Sequence, residues 1–126
     1  MIPDKVYEGY LRLKQAGFNV ELSNTYHYLL IRNVRLSTKF NMPYTDILIE
    51  NDPYSDYTTP NAYVDRRLRV WDPYLGYTKS RHLDEYLTPS RMLEKGWVKV
   101  CFKINWSPNY SLTDFVIMLL DFLRKL

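Results

Sequence analysis

Three runs rich in β-branched and aromatic residues follow one another with only short links between them. They are YHYLLIRNVRL (Tyr26–Leu36), YTDILIE (Tyr44–Glu50) and AYVDRRLRVW (Ala62–Trp71). Such runs, bounded by turn-forming residues, read as strands, and the link STKFNMP reads as a turn. The third run alternates. Val64, Leu68 and Val70 face one way and Asp65, Arg67 and Arg69 the other, which predicts a strand with one wet face. Parallel neighbours need a crossover of a dozen or more residues, so three strands in quick succession predict an antiparallel meander.

Helical spacing appears at both ends. Val6, Tyr10 and Leu13 place apolar groups on one stripe, with Lys5, Glu8, Arg12 and Lys14 elsewhere. Gly17 is a natural stop, while Gly9 weakens the helix from inside. At the other end, SLTDFVIMLLDFLRKL opens on Ser111 with Asp114 three residues on, a capping-box-like start. Its apolar stripe is Leu112, Phe115, Leu119, Phe122 and Leu126, and Arg124 and Lys125 suit the negative end of the helix dipole. Between Asp72 and Gly96 the chain reads as loop with two short helical turns. The second, TPSRMLEKG, has Pro89 at its start and Gly96 past its end. The expectation is an α+β fold: one domain over residues 1–126, an antiparallel sheet of about four strands, and a helix at each end.

Composition narrows the function classes. In a chain of 126 residues, 46% hydrophobic content and 12 tyrosines argue for a packed core rather than disorder. A net charge of +3, with no concentrated Lys/Arg run, permits an acidic partner without demanding one. One cysteine forms no internal disulfide. His27 and His82 lie far apart without ligand spacing, so neither a metal nor a cofactor is expected. The first residues carry charges where a signal peptide needs an apolar run, and the apolar run Phe115–Leu120 is too short to span a bilayer. A cytoplasmic protein without membrane or nucleic-acid partners is expected. The four glycines are too scattered for a phosphate-cradling loop. Asp84 and Glu85 read as solvated surface. DRRLR could meet phosphate, but reads more simply as a wet strand face, and the tyrosines lack the interleaved basic stripe of a base-stacking platform.

The single thiol carries most of the functional argument. WVKVCFKI (Trp97–Ile104) alternates with period two, sending Val98, Val100, Phe102 and Ile104 to one face and Lys99, Cys101 and Lys103 to the other. A cysteine used for packing belongs on the apolar face. This one shares a face with two lysines, and nearby cations favour the reactive thiolate. No histidine is close in sequence, so a Cys–His pair would have to be assembled through the fold; His82 is the candidate source, but a lone histidine reads more simply as a surface or packing residue.

Two stretches add a resemblance. WSPNYSLTDFVIMLLDFL resembles the Trp-Ser-Pro turn and following helix of the ubiquitin-conjugating enzymes. ILIENDPYSDYTTPNAYV is similar to that family's third strand and proline-rich turn. The resemblance covers most of the chain in outline and these two stretches residue by residue. It implies the family fold and a catalytic cysteine shortly before the Trp-Ser-Pro turn, which is Cys101. The family's His-Pro-Asn motif has no counterpart, since the window PSRMLEKGWVKV holds no asparagine. The oxyanion would then fall to Asn105 or a backbone N–H. These departures are similar to the divergent bacterial relatives found in short type II CBASS anti-phage operons. In that reading Cys101 accepts the C-terminal carboxyl of a protein partner, a cGAS-like nucleotidyltransferase (CD-NTase), as a thioester and passes it to lysine. A non-catalytic binding module of the same fold, of the RWD or conjugating-variant type, is the alternative.

Overall fold

The computed structural model describes residues 3–126. The first helix, α1 (Pro3–Gln15), buries Val6, Gly9 and Leu13. It ends where Gly17, at φ 95°, lets the amides of Gly17 and Phe18 reach back to the carbonyls of Lys14 and Leu13. Four strands then form a meander: β1 (Asn19–Leu22), β2 (Tyr28–Arg35), β3 (Tyr44–Glu50) and β4 (Asn61–Asp65). A detached hairpin follows, β5 (Val70–Asp72) with β6 (Gly76–Thr78). Next come β7 (Leu83–Asp84), the short helix α2 (Ser90–Glu94), β8 (Trp97–Val100) and the closing helix α3 (Leu112–Lys125).

The main sheet has six strands in the order β1-β2-β3-β4-β8-β7, with every pair antiparallel. Its register explains the core. Val20, Ile31, Ile47, Val64 and Val98 lie opposite one another in one row across five strands, and none is more than 5% exposed. Side chains alternate across a strand, so this row and its neighbours Leu29, Ile49, Ala62 and Val100 make one apolar face. That face joins a single core with Val6 and Leu13 of α1 and with Leu112, Phe115, Val116, Leu119 and Leu123 of α3. The expected α+β class and antiparallel sheet stand.

Several finer expectations are corrected. The sheet has six strands rather than about four, because β1 and the two-residue β7 extend its edges. The run Ala62–Trp71 is not one strand. The Asp65 carboxylate accepts the Arg67 amide at 2.9 Å, and the Leu68 amide returns to the Asp65 carbonyl at 3.1 Å, turning the chain out of the sheet. Leu68 stays 1% exposed, while Val70 joins the hairpin. Only the second of the two helical turns forms between Asp72 and Gly96, the first place being taken by β6 and β7. The stripe of α3 includes Val116 and Leu123, and Phe122 is only half buried. The capping box is present: Ser111 Oγ accepts the Asp114 amide at 3.1 Å, and Asp114 Oδ2 accepts the Ser111 amide at 2.8 Å.

Candidate functional site

The run around Cys101 starts as expected and then departs. Val98 and Val100 are 2% and 3% exposed, and Cys101, the first residue past their strand, is half-buried. Regular pairing stops at Val100. From Cys101 to Tyr110 the chain leaves the sheet, so Phe102 and Ile104 reach the core from an irregular segment. Phe102 stacks on Phe122, with centroids 5.0 Å apart, and tilts against Phe115 at 5.7 Å.

Strand β4 begins just after Pro60, which has no amide hydrogen to continue the ladder. Pairing of β4 with β8 runs only from Asp65↔Trp97 to Tyr63↔Lys99, and beyond it lies a notch of about 200 Å³. Its walls include Thr59, Asn61, Lys99 and Cys101, with Phe102 and Phe115 behind them. The structure therefore brings Lys99 and Cys101 together. Lys103 is exposed beyond the strand end and does not line the notch, and neither does Asn105. The carboxamide that does is Asn61, forty residues earlier, which no spacing rule in the sequence marks.

His82 comes close through the fold, but to the backbone. The Cys101 amide donates to the His82 carbonyl at 2.6 Å, and His82 Nδ1 lies 3.2 Å from the Cys101 carbonyl oxygen. The ring stands edge-on to Phe122 at 5.2 Å. His82 thus pins the strand that presents the thiol. His27 lies elsewhere, beside Tyr54, and among the described residues no cluster of His, Cys, Asp or Glu could hold a metal.

A polar cluster adjoins the notch on the sheet's other face. Glu50 accepts Tyr28 Oη at 2.9 Å, Tyr63 Oη at 3.3 Å and an Arg91 nitrogen at 3.2 Å, and Asn61 Nδ2 approaches at 3.4 Å. Burial, with the Glu50 carboxylate beside it, pushes the Tyr63 phenol up to about 12. The hydrogen bond with Tyr28 raises Arg91 further above its usual range, and the Arg67 bond holds Asp65 below the ordinary carboxylate value. Asn61 stands between this network and the notch.

The segment after the thiol is anchored. Trp106 Nε1 donates to the Asp56 carbonyl at 3.0 Å, and its ring lies edge-on to Tyr110 and Phe115 at 5.5 and 6.1 Å. The Tyr110 amide closes a turn onto the Ser107 carbonyl at 3.0 Å. The loop before β4 and the turn before α3 are therefore tied together by one indole. No helix among the described residues is long and apolar enough to cross a membrane. No family model matches the chain, and no curated protein or solved structure is similar enough to count as a match.

Proposed function

We propose that this protein is an acyl-transfer protein of the ubiquitin-conjugating type, working through a thioester on Cys101. The observation that carries the reading is the notch, whose walls hold a half-buried thiol together with Lys99 and Asn61. The Cys101 thiolate attacks an activated acyl carbon whose activation comes from outside this chain. The S–C bond forms as the activating group leaves. A lysine amine then attacks the thioester, the C–N bond forms, the thiolate departs and the amine proton passes to water. Thioester exchange suits cysteine because the thiolate is both nucleophile and leaving group. Asn61 takes the oxyanion-stabilising role that the sequence assigned to Asn105 or a backbone amide. By resemblance, the acyl group is the C-terminal carboxyl of a protein partner, a CD-NTase, and the setting is CBASS anti-phage defence.

Co-expression with that partner, followed by non-reducing electrophoresis, tests the chemistry. Wild type should give a higher-mass adduct that thiol releases. Cys101→Ser should give a thiol-resistant ester, and Cys101→Ala none. An adduct that persists in Cys101→Ala refutes the assignment. A second reading, a non-catalytic binding module, is favoured by the β5–β6 hairpin, where Trp71, Tyr74, Leu75 and Tyr77 are all more than half exposed. It prevails if no adduct forms while the partner still co-purifies with Cys101→Ala.

A further inference from the structure

A second cavity lies at the other end of α3 and shares no lining residue with the notch. Phe115 and Arg124 are nine positions apart, about 13 Å along the helix. The cavity measures about 400 Å³, within the roughly 300–1,000 Å³ usual for small-molecule sites. Its interior is apolar, built from Phe18, Leu36, Phe40, Leu120 and Leu123, while its rim carries Arg32, Arg35 and Arg124 and no carboxylate. Arg32 is held by Glu21 at 2.6 Å. Among the described residues, neither Arg35 nor Arg124 makes a salt bridge. The C-terminal carbonyls of a helix repel anions. Here Lys39 Nζ donates to the Arg124 carbonyl and covers that negative end with a cation.

The backbone is shaped for this arrangement. The register of β2 on β3 shifts between Ile31 and Val34, and Asn33 sits at φ 53° with its amide on Asp46 Oδ1 at 2.9 Å. In an unbroken strand, residues 32 and 33 point to opposite faces. A bulge resets that alternation and re-aims side chains. Val34 accordingly turns into the core at 7% exposure, while Arg32, Asn33 and Arg35 all border one cavity.

We propose that this cavity binds a small amphiphilic anion, its apolar body in the Phe/Leu interior and its carboxylate, sulfonate or phosphate at the arginine rim. The site is independent of Cys101 and goes beyond the acyl-transfer reading. The test is fluorescence titration of the full chain with 8-anilinonaphthalene-1-sulfonate, beside the uncharged N-phenyl-1-naphthylamine. The anionic probe should show saturable enhancement, weakened at least tenfold by the double substitution Arg35→Glu/Arg124→Glu. Arg81→Glu, an exposed arginine outside the cavity, should leave it unchanged. The uncharged probe should bind the double variant and the wild type within about twofold. Both substituted arginines are exposed, so the near-UV circular dichroism should be that of the wild type. Displacement by dodecanoate identifies a lipid-like anion and displacement by adenosine monophosphate a nucleotide; either supports the site. No saturable enhancement, unchanged affinity in the double variant, equal weakening of both probes, dodecanol competing as well as dodecanoate, or displacement by neither anion would each overturn it.

Discussion

Replacing Gly9 by alanine sets two effects of opposite sign against each other. Glycine inside a helix is about 1 kcal/mol less favourable than alanine, so local propensity predicts a stabilised protein. The packing predicts otherwise. A Cβ at Gly9 would lie 3.0 Å from the Leu112 Cβ, with Leu112 Cδ1 and Cγ at 3.7 and 3.8 Å, where carbon atoms at rest sit about 3.5–4.0 Å apart. Leu112 is fully buried and opens α3 directly after its Ser111 cap. The clashing atom is its Cβ, which no rotamer moves, so the two helices must separate. Overpacking of this kind costs roughly 1–3 kcal/mol. The net expectation is destabilisation by about 1 kcal/mol, a fall in Tm of about 4 °C for a domain of this size. Urea denaturation followed by far-UV circular dichroism measures it in the full chain. A peptide of residues 3–15, which lacks α3, should instead gain helicity on the same change. A full chain stabilised by Gly9→Ala would refute the packing argument.

Trp106→Ala should cost about 2–3 kcal/mol, below the roughly 3–5 of a fully buried tryptophan, because Trp106 is only half buried. Trp106→Phe keeps most ring contacts and loses the bond to the Asp56 carbonyl, so about 1 kcal/mol is expected. An unchanged urea midpoint for the alanine variant would show that the turn needs no anchor. Tyr63 supplies a pH test. Its folded value, about 12, lies above the ordinary 10.0, so the unfolded chain loses this proton first. The stability it contributes is complete below pH 10 and is lost as pH rises towards 12. Urea midpoints from pH 8 to 12 should fall less steeply in Tyr63→Phe than in wild type, and parallel slopes would argue against a protected phenol.

Period and punctuation made much of the fold legible in the chain itself. The β-branched strand Tyr44–Glu50 and the capping pair Ser111/Asp114 depend only on near neighbours, and both appear where the sequence places them. The burial of Val98 and Val100 was legible for the same reason, since period-two alternation fixes the parity of their strand. The end of that strand was not. Alternation continues in sequence through Ile104, but Phe102 is drawn out of the sheet by its stack with Phe122 on α3, a partner twenty residues away.

What the sequence alone determined, then, was what adjacent residues decide: the class of elements, their parity and their caps. The tertiary structure decided what depends on distant partners meeting. Asn61 reaches the notch because the β4–β8 ladder stops at Tyr63↔Lys99 and leaves the start of β4 without a partner on that side. His82 turns its ring to a backbone carbonyl and packs edge-on to Phe122, partners that no spacing in the sequence marks. Gly9 changes meaning most. In sequence it is a weak point of a helix, and in the fold it is where α1 packs against the start of α3, because only a residue without a Cβ leaves room for Leu112.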